Sequence, residues 1–103
     1  MIAGQGLLKL PPVWDLSVMP GALDVEIRSL ERLLTEAGGT QVRVDLSALE
    51  RFDSCGLAAL LELQRCALRQ SVGLHWQAMP DDLLEIARVY GVSSCFLAEG
   101  DDA

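Results

Sequence analysis

The sequence predicts a single α/β domain with a mixed, mostly parallel sheet of about four strands and with helices mainly on one face of that sheet. Its 103 residues are the length of one ordinary domain. Strand-like and helix-like segments alternate along the chain, and a helix between two strands is the usual connection in a parallel sheet. The clearest strand segments alternate polar and apolar residues, which indicates that only one face of the sheet is covered. We expect a folded core at about residues 7–97 and an acidic tail at residues 98–103.

The first strand and the first helix are predicted from patterns in the N-terminal part of the chain. Residues 7–10 are apolar except for Lys9 and predict a strand, which Pro11 and Pro12 confine to an edge or an end of the sheet because they lack backbone N–H donors. A helix follows, with apolar residues at spacings of three and four. Its buried stripe is expected to comprise Leu23, Ile27, Leu30, Leu34 and Ala37, and its end is expected at Gly38 and Gly39. Its solvent-facing side is expected to comprise Asp24, Glu26, Arg28, Glu31 and Arg32.

The middle of the chain predicts a strand and then a second helix. Residues 41–46 alternate, so every second side chain should face the core. A run of strong helix formers predicts a helix over residues 57–69. This helix has more apolar residues than one buried stripe requires. The residues expected to face the sheet are Leu57, Leu60, Leu63, Gln64, Ala67 and Leu68, which leaves Ala58 and Leu61 near the surface.

A third strand and a third helix are predicted in the last part of the chain. Residues 74–79 alternate as a strand, and a helix follows Pro80 with acidic residues in its first turn, where the helix dipole favours them. Gly91 should end this helix. Its apolar stripe is expected to comprise Leu83, Ile86, Ala87 and Tyr90. Residues 92–97 show no clear period and are expected to form a cap or a short terminal strand. Both tryptophans, Trp14 and Trp76, are expected in the core.

Composition argues against two classes of partner. Fifteen acidic against eight basic residues give a formal charge of −7, so the chain cannot supply the counter-ion release that drives binding to nucleic acid. No apolar run approaches the roughly 18 residues that a membrane-spanning helix needs, so no direct membrane insertion is expected. Residues 1–6 lack the basic start and the apolar stretch of a secretory signal, and a cytoplasmic location is therefore expected.

The sequence also gives little support for catalysis. Its three cysteines and one histidine lack the spacing of a zinc site, and no glycine-rich loop lies between a strand and a helix. His75 lies within a predicted strand, where a partly buried structural role is the usual one. We therefore expect no catalytic residue, no metal and no cofactor.

The most informative segment lies just before the second helix. Asp53 and Ser54 precede Cys55 and Gly56 at a point where the first helical N–H groups lack acceptors. In one interpretation Asp53 or Ser54 simply caps the helix. In another, the Ser54 hydroxyl is exposed at the positive end of the helix, where a phosphate or a protein partner can be accommodated. The two roles are compatible.

This segment resembles the central signature of a known family. The run Val-Asp-Leu-Ser at residues 44–47, followed closely by Asp-Ser-Cys-Gly-Leu-Ala-Ala-Leu-Leu at residues 53–61, is similar to the STAS domain, whose members include bacterial anti-sigma-factor antagonists. The resemblance extends over roughly residues 7–96. It implies a STAS-type α/β fold.

Within that family, the chain most resembles the MlaB-type subunit of bacterial phospholipid-transport ABC systems. The phrase Ile-Ala-Arg-Val-Tyr-Gly-Val at residues 86–92 carries most of this resemblance. It implies an ABC-transporter ATPase subunit as partner and a cytoplasmic location, with association with the inner membrane through the transporter complex. The residues that the resemblance nominates for partner binding are Asp53, Ser54, Cys55, Gly56, Ala58, Leu61, Glu62 and Arg65.

An alternative function is also consistent with the family resemblance. In partner switching, a serine kinase that is also an anti-sigma factor phosphorylates the antagonist. Ser54 is then the expected phosphorylation site. Its phosphate would add about two negative charges beside Asp53, and these charges would repel an acidic partner surface and break the complex. The sequence leaves both functions open.

Overall fold

Short parallel strands and three helices make up the computed structural model, which describes residues 5–37 and 41–96. Within those ranges the strands are β1 (Gln5–Lys9), β2 (Val13–Trp14), β3 (Gln41–Asp45), β4 (Arg51–Phe52) and β5 (Gly73–Gln77). The helices are α1 (Gly21–Ala37), α2 (Ser54–Arg69) and α3 (Asp81–Val89), with single 3₁₀ turns at Leu16–Val18 and Ser93–Cys95. The predicted order of elements is confirmed.

The strands form two sheets in the described part of the chain. The main sheet has the order β1-β3-β5, and its strands pair in parallel so that Leu8, Val44 and Trp76 lie side by side. Strands β2 and β4 form a separate parallel pair. The α/β class is confirmed, but the predicted four strands become three in one sheet and two in another, and every described strand pair is parallel rather than mixed. Pro11 and Pro12 explain the division, because the chain leaves the main sheet where backbone donors are missing.

Helices cover one face of the main sheet, as predicted. Val42 and Val44 are buried on that face, whereas Arg43 is exposed on the other. His75 pairs with Arg43 on the uncovered face and is exposed there, so the expectation of partial burial is wrong. Its Nε2 atom is hydrogen-bonded to the Gln41 side chain. The parity of position 75 along β5 decides the matter, because alternate residues of a strand point to opposite faces.

Helix α1 departs from its predicted polar face at one position. Leu30 is fully buried as expected, but Glu26 is also buried, with 9% of its surface exposed. Glu26 lies three residues after Leu23 and four before Leu30, so it belongs to the face that packs on the sheet. Its prediction as a solvent-facing residue is wrong. The expectations for the Leu34 and Ala37 side chains and for Gly38 and Gly39 lie outside the described residues.

Helices α2 and α3 also differ from the predicted stripes near their C-terminal ends. Leu60, Leu63 and Ala67 are buried, whereas Leu68 is 64% exposed, because it lies a further 100° around α2 from Ala67. Tyr90 is 62% exposed, because α3 ends at Val89 and the chain turns away through the next residues. The predictions that Leu68 and Tyr90 face the core are therefore wrong.

The C-terminal part of the described chain closes the core. The 3₁₀ turn at Ser93–Cys95 occupies the stretch for which a cap or a strand was expected, and Phe96 after it is buried. The Phe96 and Trp76 rings form a T-shaped contact with 5.1 Å between ring centroids. Trp14 is fully buried as predicted, whereas Trp76 is half-buried. Within residues 5–37 and 41–96, none of the helices combines the length and the apolar character that a membrane span requires.

Candidate functional site

Asp53 caps the N-terminus of α2. The capping role considered for this segment therefore belongs to Asp53, and Ser54 is available for the other role, contact with a partner. Its Oδ1 atom accepts a hydrogen bond from the Gly56 N–H at 2.9 Å, which is the geometry of an N-cap. Its Oδ2 atom accepts a second one from the Leu16 N–H at 3.2 Å. The capping residue is therefore Asp53, and it ties the preceding 3₁₀ turn to the helix. Helix α2 begins three residues earlier than predicted because this cap stabilises an additional turn.

Ser54 is left free for another role. It is the first residue of α2, and its side chain is exposed. Across the parts of the chain that the structure describes, the Ser54 hydroxyl takes part in no hydrogen bond. The hydroxyl can therefore donate to a partner or accept from one without giving up an internal contact.

A shallow apolar groove lies beside Ser54, between α2 and the end of α3. Its volume is about 290 Å³. The residues that line this α2–α3 groove are Ser54, Leu57, Ala58, Leu61, Tyr90 and Val92. Three of the predicted site residues, Ser54, Ala58 and Leu61, are thus brought together by one turn spacing along α2.

A second apolar groove lies on the other flank of α2. Its volume is about 230 Å³, and we call it the α1–α2 groove. The residues that line it are Met19, Pro20, Leu23, Cys55, Ala58 and Ala59. Ala58 borders both grooves, and its small side chain forms the ridge between them. Cys55 is half-buried in this second groove, and its role as a small contact residue stays a prediction.

The remaining predicted residues have other positions. Glu62 and Arg65 form an ion pair with each other at 2.9 Å on the surface of α2, farther along the helix than the grooves. They form a polar border to the apolar surface, as is typical of protein–protein interfaces. Gly56 is buried, and its carbonyl oxygen accepts a hydrogen bond from the Trp14 Nε1 atom at 3.0 Å. Gly56 therefore lies below the surface and helps to fix the position of α2.

Sequence reasoning missed the residues that other elements contribute. The spacing of Leu83 and Ala87 predicts Tyr90 in the core, whereas the structure exposes it at the groove. Gly91, which adopts a positive φ of 74°, was the available signal, because a glycine in this conformation marks the end of a helix and the residue before it leaves the helical stripe. Met19 and Pro20 carry no such signal in the sequence.

A charged cluster supports the turn that leads into the site. Asp15 accepts hydrogen bonds from the hydroxyl of Ser17 at 2.5 Å and from its N–H at 3.0 Å, and Arg51 lies 3.9 Å away. The Ser17 hydrogen bonds and the nearby Arg51 lower the pKa of Asp15 below its ordinary value. Asp15 therefore stays ionised at neutral pH and holds the 3₁₀ turn whose Leu16 N–H binds Asp53.

Comparisons with known proteins agree with this architecture. The family model described as "Mlab, STAS domain" matches residues 19–98. The crystal structure of a sulfate transporter family protein from Wolinella succinogenes is similar, with a TM-score of 0.72 and 16% identity, over 98% of this chain and 77% of that one. At that identity the likeness shows the fold. No curated protein matches the chain significantly.

The grooves and the family comparison point to one kind of role. STAS domains are generally non-catalytic domains that mediate interactions between proteins. Among the described residues, no group of three His, Cys, Asp or Glu side chains is placed to hold a metal ion. The family match covers most of the chain, including α2 and both grooves. The chain therefore belongs to the STAS domain family.

Proposed function

We propose that this protein is a non-catalytic binding subunit that docks on the cytoplasmic ATPase of a phospholipid-transport ABC complex. The proposed contact surface is centred on Ser54, Ala58 and Leu61. One observation carries the proposal: an exposed serine hydroxyl without an internal partner lines the α2–α3 groove, one helical turn from Ala58, where the two apolar grooves meet. Such a surface suits a protein partner, because its apolar area gains free energy when covered and its hydroxyl gives direction to the contact.

The choice of an ABC ATPase rests on family likeness. The matching family model carries the name Mlab in its description, and the sequence resembles the MlaB-type subunit of phospholipid-transport systems. We expect the ATPase to insert one apolar side chain into the α2–α3 groove and another into the α1–α2 groove. Glu62 and Arg65 at the border should affect the association rate more than the affinity, because exposed charges mainly steer encounters.

Co-purification with the ATPase subunit tests this proposal. The two proteins are co-expressed from the same genome with an affinity tag on the ATPase. Leu61→Asp should abolish co-purification, because it places a charge in the α2–α3 groove. Ser54→Glu should do the same because it places a charge at the edge of the α2–α3 groove, and glutamate at a helix start is compatible with the fold.

Two matched controls make the result specific. Leu68→Asp introduces the same charge into an exposed leucine on the same helix, away from both grooves, and should leave the complex intact. Gln77→Glu adds one negative charge on the uncovered face of the sheet and controls for the change in net charge. Failure of the unaltered pair to associate, or full association of Leu61→Asp, would contradict the proposal.

A second function, anti-sigma-factor antagonism, is favoured by the exposure of Ser54 alone. A kinase can reach the hydroxyl, and phosphorylation would add about two negative charges next to Asp53 in a chain of formal charge −7. Under this alternative, a cognate serine kinase with ATP adds one phosphate to the intact protein, and Ser54→Ala prevents it. Absence of phosphate transfer together with ATPase co-purification would reject the alternative.

The proposed partner also determines where the protein is found in the cell. Docking on the ATPase predicts a cytoplasmic protein that sediments with inner membranes when the complete transporter is present. Leu61→Asp should shift it to the supernatant, and Leu68→Asp should not. Quantitative immunoblotting of the two fractions measures this distribution.

A further inference from the structure

A second surface, separate from the Ser54 site, runs along the outer edge of β1 next to α1. We call it the β1 groove. Its polar half has a volume of about 320 Å³ and includes Lys9, Glu26, Ser29 and Arg32. Its apolar half has a volume of about 450 Å³ and includes Pro12, Val18, Ala22 and Val25. Glu26 lines both halves and therefore marks their junction.

The edge of β1 offers backbone hydrogen-bonding groups to this groove. Strand β1 is an edge of the main sheet in the described chain. The Leu10 N–H donates to the Asp45 carbonyl oxygen at 3.1 Å, on the side of β3. Because alternate residues of a strand point their backbone groups to opposite sides, Leu7 and Lys9 present theirs to the groove. Unpaired edge groups of this kind are the template for an added strand.

Glu26 provides a second observation, independent of the edge of β1, that indicates a ligand in the β1 groove. Its side chain is more than nine-tenths buried, and burial raises the pKa of its carboxyl group. Within residues 5–37 and 41–96, Glu26 has neither a hydrogen bond nor an ion-pair partner. Lys9 and Arg32 line the same groove without pairing with it. Burial of most of the residue disfavours the ionised form of this carboxyl group, and a cation placed against it in the groove offsets that cost.

We propose that the β1 groove binds an extended segment of a partner protein, which adds to β1 as a further strand and places a lysine or arginine side chain against Glu26. Main-chain hydrogen bonds to Leu7 and Lys9 give such a segment its affinity, and side-chain pockets give it specificity. An aliphatic side chain of the segment occupies the apolar half, and an acidic one lies beside Arg32. This inference is independent of the proposed docking at Ser54.

The spacing of the groove residues sets the pattern of the segment. On α1, Arg32 is six residues from Glu26, which is about 9 Å, and Ala22 is four residues from it, which is about 6 Å. An extended strand advances about 6.6 Å for every two residues, with both side chains on one face. The segment is therefore expected to read acidic-x-basic-x-aliphatic, in one chain direction or the other.

Synthetic peptides test the proposal directly. The probes are the capped, fluorescein-labelled peptide Thr-Glu-Thr-Lys-Thr-Val-Thr-Val and the peptide of reversed sequence, measured by fluorescence anisotropy with the full chain. One of the two should bind saturably, and exchange of its Glu and Lys should weaken it. Glu26→Gln should weaken binding about threefold and Glu26→Lys about tenfold or more, because the charge pair is lost or made repulsive. Glu50→Lys, the same change at an exposed glutamate, should have little effect.

A modification of the peptide tests strand addition without altering the protein. N-methylation of alternate residues produces two complementary peptides, each with a different set of free N–H groups. Only the peptide whose free groups face β1 should bind. Leu7→Pro should also abolish binding, since proline removes an outward donor at an edge position that tolerates it, and circular dichroism checks that the variant is folded. Equal binding of both methylated peptides would overturn the proposal.

Other occupants of the groove give distinct results. A dimer in light scattering that Leu7→Pro abolishes would show that a second copy of this chain fills the groove, and would overturn the proposal. So would a double-mutant cycle in the free protein that couples Glu26 to Arg32, because the carboxylate would then be paired internally. Ser54→Glu should leave peptide binding unchanged, which separates this surface from the proposed ATPase contact.

Discussion

The carbonyl oxygen of Trp14 lies 2.0 Å from the position that a Cβ atom on Gly56 would take. No real Cβ atom tolerates backbone at that distance, so only glycine permits α2 to approach β2 this closely. The same approach lets the Trp14 indole N–H donate to the Gly56 carbonyl oxygen at 3.0 Å. The absence of a side chain at Gly56 thus allows α2 to pack closely against Trp14, and this packing determines how far Ser54 lies from the core.

Gly56→Ala should destabilise the protein more than an ordinary helix substitution. The added methyl group meets backbone that cannot rotate away, and we expect the free energy of unfolding to fall by about 3 kcal/mol or more, despite the better helix propensity of alanine. Urea denaturation followed by circular dichroism measures this loss. Gly21→Ala is the control, because nothing lies within 4 Å of a Cβ atom at that position. Similar stability of both variants would contradict the close contact.

Substitutions of Asp53 and Ser54 should differ in their effect on stability, because only Asp53 caps α2. Asp53→Ala removes the cap and the link to Leu16, and should lower the free energy of unfolding by about 1–2 kcal/mol. Ser54→Ala removes a hydroxyl without an internal partner and should change it by less than about 0.5 kcal/mol. Thermal unfolding of both variants checks this order. If Ser54→Ala costs as much as Asp53→Ala, the serine is the capping residue instead.

Tyr90 should contribute to binding and little to folding. It is 62% exposed and lines the α2–α3 groove, and exposed aromatic residues are frequent centres of protein interfaces. Tyr90→Ser should weaken association with the ATPase about tenfold, which corresponds to about 1.4 kcal/mol. Val89→Ser is the neighbouring control, since Val89 is 76% exposed and does not line the groove. Surface plasmon resonance measures both affinities, and equal losses would exclude a specific role for Tyr90.

Glu26 should give the stability a recognisable dependence on pH. Burial raises its pKa in the folded state above the ordinary value of 4.5, so the folded state binds the proton more tightly than the unfolded state does. Stability is therefore expected to fall as the pH rises from about 4.5 through the folded pKa. Glu26→Gln should remove this fall and raise the melting temperature at pH 7 more than at pH 4.

Two features keep the Glu26 measurement interpretable. Lys9 and Arg32 line the same groove without an ion pair to Glu26, so burial alone sets the direction of the effect. Asp15 and Asp45 act in the opposite direction, because hydrogen bonds from Ser17 and Ser47 lower their pKa values, and the stability they confer is lost as the pH falls below 3.8. Glu50→Gln serves as the control at an exposed glutamate. A steeper pH dependence in Glu26→Gln than in the unaltered protein would contradict the assignment.

Local sequence patterns were sufficient to predict burial wherever it depends only on the strand or helix in which a residue lies. The alternation of Val42 and Val44 with Arg43 correctly predicted which face of β3 is buried, because the period of a strand is two. The residue types at Asp53 and Ser54 indicated a helix start nearby, because few other residue types satisfy the first free N–H groups, although the structure begins α2 three residues before the predicted position. The prominence of Ser54 also came from this local context.

Tertiary structure determined the features that arise from packing between helices and strands, such as the exposure of individual side chains and the grooves. The burial of Glu26 and the exposure of Leu68 follow the helical period once the position of the buried stripe is known, and only packing shows that position. The exposure of Tyr90 depends on where α3 ends. Local patterning determined the α/β class, the order of elements and the position of Ser54, because hydrogen-bonding periods and caps act over a few residues. The two grooves that meet at Ala58, and the unpaired Glu26 beside the edge of β1, depend on packing between segments far apart in the chain, for which periodicity carries no information.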